Sequence, residues 1–258
     1  MHQRYPHRTS AAEVKRIRTL HQRKGRELEG AYLVQGRKLV QELTEAQVPV
    51  RSIHLTAEAA EDLRPDPHVT RIATTEQLAR MGTLEAGNEV IAVVTMPNGT
   101  SWGPLEKDEL VLALDGIADP GNLGTIVRLA DWSGVHRVLC RTGSVDVFNP
   151  KCVQAAMGSV QRVDVRYDDL VERIAEWQAA GARTYLADMN GRSVHSVDLV
   201  LPAVLVLGQE SHGLSTEVRG LIAETIALPR RGRAESLNVA MAAAALCSEF
   251  VRQCAPGS

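Results

Sequence analysis

Three separated stretches of the chain carry side chains suited to holding a polar ligand. The first is Asp119-Pro120-Gly121-Asn122-Leu123-Gly124, with Arg128 four residues beyond Gly124. An Asn amide both donates and accepts, and a guanidinium can grip a phosphate through two parallel hydrogen bonds. The same residues would also serve as a glycine-rich loop leading into a helix that bears a surface charge. The second stretch, Gly208-Gln209-Glu210-Ser211-His212-Gly213-Leu214-Ser215, has the G-x-x-x-x-G spacing of a phosphate loop. Its chemistry is different, because Leu214 stands where Lys is needed and Glu210 puts a carboxylate where phosphates would sit. No G-x-G-x-x-G fingerprint occurs, so neither ATP nor NAD is indicated. A strand followed by Gly-x-Glu lets a ligand approach the backbone beside one acceptor, which suits a neutral or cationic molecule. In the third stretch Arg230, Arg231 and Arg233 precede Glu235-Ser236-Leu237-Asn238 and an Ala-rich segment without Gly or Pro until Pro256. That segment reads as a helix with Ser236 near its N-cap. Asn238 inside its first turn is a poor helix former, which points to a second role.

The elements around these stretches would bring them together. Apolar runs Ala203 to Leu207 and Thr225 to Leu228 read as strands that stop at the second and third stretches, and the run Glu109 to Leu114 leads into the first. Open α/β sheets bind ligands at the C-terminal edge of their strands. From Glu109 onward the chain alternates strand and helix, with LVERIAEWQAA a clear amphipathic helix. Five or six strands with intervening helices predict a mostly parallel sheet covered on both faces. A shorter alternating series from Ala31 to Met96 predicts a small α/β domain. Pro97 to Pro104 is rich in turn formers. The expected organisation is therefore a domain over residues 1–96, a linker over 97–108 and a second domain over 109–258.

Composition narrows the function classes. Hydrophobic content of 44% and charged content of 23% are those of an ordinary soluble protein, and 3% aromatics argue against stacking platforms for single-stranded nucleic acid. No apolar run approaches a membrane span, and MHQRYPHRTS lacks the apolar core of a signal peptide, so a cytoplasmic protein is expected. Cys140, Cys152, Cys247 and Cys254 form no C-x-x-C pair and have no His at ligand spacing, which argues against a metal and for buried free thiols. Net charge is -2, yet through residue 40 Arg4, Arg8, Lys15, Arg16, Arg18, Arg23, Lys24, Arg26, Arg37 and Lys38 stand against Glu13, Glu27 and Glu29. Such an arm suits a polyanion. It equally suits a solvated amphipathic helix, since Val14, Ile17 and Leu20 fall three apart.

The residues also carry a family resemblance. DPGNLGTIVRLADWSGV (Asp119 to Val135), LVLGQESHGLS (Leu205 to Ser215) and LPRRGRAESLNVAMAAAA (Leu228 to Ala245) resemble the three signature motifs of the SpoU/TrmH family. These are S-adenosylmethionine-dependent RNA 2'-O-ribose methyltransferases of the SPOUT class. DVFNPKCVQAAMGSV resembles the family's middle segment, so the likeness runs from Leu110 to about Phe250. The first 96 residues resemble the substrate-binding domain of many members, a small ribosomal-protein-like RNA-binding fold, with LHQRKGRELEGAYLVQGRKLV the telling stretch.

The resemblance implies a parallel-sheet domain with a deep trefoil knot, a homodimer, and S-adenosyl-L-methionine as cofactor. It implies that Leu207, Gly208, Glu210, Leu228 and Leu237 lie at the cofactor, and that Asn122, Arg128, Glu210, Ser236 and Asn238 form the catalytic group. Arg23, Lys24, Arg26, Arg37, Arg230, Arg231 and Arg233 are expected to hold RNA through its phosphates. Ribosomal RNA is the favoured substrate and DNA is not expected to be one. Alternatives are a tRNA 2'-O-methyltransferase and a non-catalytic RNA-binding or ribosome-assembly protein of the same fold.

Overall fold

The computed structural model describes residues 5–84, 89–97, 99, 102–208, 215–222 and 224–254. They form two compact units, one of residues 1–98 with 148–158, the other of 99–147 with 159–258.

The first unit opens with α1 (Ala11–Thr19), started by a capping box in which Ser10 and Glu13 satisfy each other's backbone N–H groups. Val14, Ile17 and Leu20 point inward and are buried, while Lys15, Arg16 and Arg18 remain exposed. The three-residue spacing therefore marks a packed helix with a charged outer face. After α2 (Arg23–Glu29) come β1 (Ala31–Gln35), α3 (Arg37–Glu45), β2 (Val50–Leu55), α4 (Ala57–Leu63), β3 (Thr70–Ile72), α5 (Thr75–Met81) and β4 (Val90–Thr95). The sheet order is β1-β4-β2-β3, with β4 antiparallel to both neighbours and β2 parallel to β3. Successive side chains of β1 leave on opposite faces: Tyr32 and Val34 join a core with Leu39, Val40 and Leu43 of α3, whereas Ala31 and Leu33 join Val14, Ile17, Leu78 and Met81. The sheet is thus sandwiched between helices.

The second unit is built on β5 (Leu110–Asp115), α6 (Pro120–Trp132) and β6 (Arg137–Arg141). The chain then passes through α7 (Pro150–Ala156), which belongs to the first unit: it packs on β1, and the Phe148 ring lies 4.6 Å from that of Tyr32. Residues 148–158, inside the expected second domain in sequence, thus group with the first unit. The second unit resumes with β7 (Asp164–Asp168), α8 (Leu170–Ala179), β8 (Arg183–Ser193), β9 (Ala203–Gly208), α9 (Thr216–Leu221), β10 (Glu224–Ala227) and α10 (Val239–Cys254).

The second sheet has the order β10-β8-β9-β5-β6-β7, and every pairing in it is parallel. Its central strands read as unbroken apolar runs, LVLAL in β5 and AVLVL in β9, because both of their faces are covered. Ile174 and Trp177 of α8 and Val218 of α9 share a core cluster with strand residues including Val111 and Val206, while α10 packs against α6 and β9. Within the expected linker, Trp102 is fastened to this unit. Its indole stacks on Trp177 at 6.1 Å, lies under the Arg166 guanidinium at 4.8 Å, and donates Nε1–H to Asp164 at 2.6 Å.

Candidate active site

Sheet order sets the place. β5 and β9 are neighbours whose last residues, Asp115 and Gly208, are register partners, so the chain leaves both strands at one point of the C-terminal edge. From β5 it reaches α6 within a few residues. Asp119 is the N-cap, accepting from the Asn122 N–H at 2.9 Å, and Pro120 follows at the first helical position. Pro120 to Gly124 are therefore helical, where sequence alone suggested a loop, and Asn122 stands in the first turn of α6.

At the other end of the motif region, α10 starts at Val239 and its cap is Asn238, with Ser236, expected near the cap, two residues before it. The Asn238 Oδ1 accepts from Ala240 N at 2.9 Å and Met241 N at 3.3 Å, and the Asn238 carbonyl accepts from Ala242 N. Ser236 lies two residues too early to do this. The Asn238 amide Nδ2 donates to the Asn122 Oδ1 at 3.0 Å. One bond thus joins residues 116 positions apart and ties the starts of α6 and α10 together. Asn238 stands before the helix and not inside its first turn as expected, and at a cap Asn is a favoured residue.

The other candidates take distinct places. Leu207 is buried inside β9 and Gly208 ends that strand. Leu228 is half-buried directly after β10, and Leu237, 55% exposed, precedes α10. Glu210 lies outside the described residues. Arg128 is exposed on α6, about 9 Å further along the axis and roughly 120° around it from Asn122. Among the described residues its side chain has no hydrogen bond or ion pair, which leaves the guanidinium uncommitted. Arg231 and Arg233 are exposed, while Arg230 braces its own loop by donating to the Ala234 carbonyl at 3.3 Å.

In the first unit Lys24 is exposed, and Arg23 pairs with Glu27 at 2.7 Å. Arg37 is held by Asp62 at 2.7 Å and Glu89 at 3.0 Å, so a phosphate there would have to displace two carboxylates. Arg26 corrects the expectation: only 2% exposed, it donates to the carbonyls of Leu20 and His21 after α1 and is a structural residue. Neither Cys140 nor Cys247 offers a thiolate, because burial pushes each thiol up to about 12.

Asp115 and Arg141 escaped the reading of the sequence, and Asp119 and Ser215 stood in the motif stretches without a role of their own. The Asp-Pro pair at a helix start could have marked Asp119. No local signal marks Asp115, whose two partners, Arg141 and Ser215, are distant in sequence.

The residues at this edge fit an adenosyl sulfonium ligand. Leu237, exposed, and Leu228, half-buried, offer apolar surface not absorbed by the core, and Asn122 and Asn238 offer amides. Such a ligand has apolar ring faces and polar edges.

Comparison with known proteins identifies the arrangement. Residues 109–248 match the model of the SpoU rRNA Methylase family, and residues 11–96 match the MRM3-like substrate binding domain. A 23S rRNA (uridine(2479)-2'-O)-methyltransferase from Streptomyces viridochromogenes is 32% identical over 87% of this chain and 83% of its own length. The 23S rRNA (guanosine(2553)-2'-O)-methyltransferase RlmP from Bacillus subtilis is 30% identical over 91% of this chain and 94% of its own. Among solved structures, AviRb from Streptomyces viridochromogenes in complex with AdoMet superposes with a TM-score of 0.83 at 31% identity, covering 95% of this chain and 98% of that one. A TrmH-family protein from Porphyromonas gingivalis superposes with a TM-score of 0.84 at 37% identity and the same coverage. The chain belongs to the SpoU rRNA methylase family.

Proposed function

We propose that the edge where β5, β9 and β10 end is where this RNA 2'-O-methyltransferase presents S-adenosylmethionine to a ribose hydroxyl of ribosomal RNA. The observation that carries this reading is the Asn122–Asn238 bond, which joins two of the three motif stretches at one point. Leu207, Gly208, Leu228 and Leu237 would hold the cofactor, which supplies a methyl group already activated on a sulfonium. A ribose hydroxyl is a weak nucleophile, so this chain's residues have to position it and stabilise the charge it develops. Asn122, Ser236 and Asn238 orient the ribose. Arg128 binds the phosphate of the target nucleotide and stabilises charge on the 2'-oxygen. A guanidinium is a poor proton acceptor, so Arg128 acts by charge and position. Glu210 adds an acceptor near the cofactor.

The active assembly is a homodimer. Arg128 and Trp132 lie four residues apart on one face of α6, and Trp132 is 90% exposed. On α10, packed against α6, Met241 is 63% exposed. Pairing two copies through α6 and α10 would cover these apolar side chains and bring Arg128 to the interface. Threading of α10 through the preceding loops, as a trefoil knot, would fix the Asn238 cap beside Asn122.

RNA is held by Lys24, Arg23, Arg231 and Arg233, with affinity that falls as salt rises. A substrate lacking the 2'-hydroxyl has no acceptor for the methyl group, so DNA is not modified. No described helix is long and apolar enough to cross a membrane, and we place the protein in the cytoplasm with its substrate. The test is transfer of labelled methyl to ribosomal RNA. Arg128→Ala is expected to abolish transfer while S-adenosylmethionine still binds; loss of cofactor binding in that variant would contradict the role given to Arg128.

A further inference from the structure

Asp115 is the last residue of β5 and only 3% exposed. A buried carboxylate at a strand end has to be satisfied, and this one has two partners from different elements, the end of β6 and the start of α9. Its Oδ2 accepts from the backbone N–H of Ser215 at 2.8 Å, and its Oδ1 accepts from the Arg141 Nη1 at 3.0 Å. Its backbone is the register partner of Gly208 in β9. One residue therefore holds both Gly208, through strand pairing, and Ser215, through a charge-assisted hydrogen bond. Gly208 ends β9, and Ser215 is the N-cap of α9 although its own side chain caps nothing.

We infer that Asp115 is a positioning residue for cofactor binding, fixing Gly208 and Ser215 relative to each other at the sheet edge. The inference rests on the reading of Gly208 as part of the S-adenosylmethionine site. Two features favour it over simple packing. The Asp115 carboxylate is aimed at a backbone N–H, which places a chain segment, and not at a side chain alone. Arg141, the second partner, is 48% exposed and so cannot by itself account for burying the carboxylate.

Ser215→Pro tests the bond without altering Asp115. The φ of Ser215 is -60°, the value proline imposes, and the Ser215 carbonyl stays available to the Arg219 N–H; the change removes the donor and the hydroxyl and turns the ring Cδ towards the Asp115 carboxylate, so the bond cannot form. Losing a hydrogen bond to a charged group predicts S-adenosylmethionine affinity about 10- to 100-fold weaker by calorimetry. Asp115→Ala should do the same and Asp115→Asn, which keeps an acceptor for Ser215, should recover most of the affinity. In Ser215→Pro and Asp115→Ala the KM for cofactor should rise while kcat at saturating cofactor stays within a few-fold of wild type. Arg141→Gln should leave cofactor affinity within about threefold. Unchanged affinity in folded Ser215→Pro overturns the inference while the wild-type activity stands, and so does a loss in Arg141→Gln as large as in Asp115→Ala. A wild-type protein that binds no S-adenosylmethionine overturns this inference together with the functional reading beneath it.

Discussion

Asn238 does two jobs that substitution can separate. Its Oδ1 caps α10 through Ala240 N and Met241 N, and its Nδ2 reaches Asn122 on α6. Asn238→Ala removes both. Losing an N-cap costs about 1 kcal/mol and losing a neutral side-chain hydrogen bond about another 1 kcal/mol. Since Asn238 is exposed, water replaces part of each, and a total of roughly 1.5 kcal/mol is expected. For a protein of this size that is a fall in Tm of about 3–6 °C. Asn238→Ser keeps a good cap but is too short to reach Asn122, so about half the loss should return. Asn122→Ala removes the same inter-helix bond from the other side. Because the two changes delete one interaction, Asn122→Ala with Asn238→Ser should cost less than the sum of the single effects. Thermal unfolding of the four variants measures this. In the methyl-transfer assay, both Asn122→Ala and Asn238→Ser should lower turnover about 100-fold, the effect of a misplaced positioning group. The reasoning fails if Asn238→Ser is as unstable as Asn238→Ala, or if the two losses add in full.

Two further perturbations test the frame around the site. An added Cβ at Gly191 in β8 would sit 2.7 Å from the backbone of Thr225 and Ile226 in β10, where the pairing of the two strands shifts register. No side chain can move aside, so Gly191→Ala should cost about 1–3 kcal/mol by thermal unfolding and weaken S-adenosylmethionine binding through Leu228 at the end of β10. Gly220→Ala, with open space around it in α9, should be neutral or slightly stabilising. In the first unit His54 is fully buried between the Thr9 and Ser52 hydroxyls, and burial holds its pKa down at about 4. The unfolded chain, with an ordinary His near 6.5, binds the proton first, so stability is complete above about pH 6.5 and falls as pH drops towards 4. The full loss is about 3 kcal/mol, and His54→Gln should flatten the dependence of Tm on pH across that window.

Much of the frame is legible in the chain because apolar strand runs and turn residues are local signals. The LVLAL and AVLVL runs were readable as strands buried on both faces, and the Ala-rich segment as a helix. What escaped are features decided by partners far away in sequence. Arg26 looks like one more cation in a basic arm, and only the fold brings the carbonyls of Leu20 and His21 to its guanidinium. Phe148 to Gly158 sits among residues of the second unit in sequence, yet its apolar side chains cover a face of β1 that no local pattern assigns to it.

Ser236 and Asn238 show where this limit falls within the site. Both are good N-cap residues, they stand two apart, and the same helix follows either one, so local propensity cannot choose between them. The choice is made by burial of Val239 and Ala240 and by Asn122 arriving on α6. That arrival in turn depends on Asp119 and Pro120 starting α6 early enough to put Asn122 in its first turn. Asp119 thus sets the phase of one helix and Asn238 the phase of the other, and the contact between Asn122 and Asn238 exists only if both are right. A change at Asp119 should therefore weaken the α10 cap region by displacing Asn122.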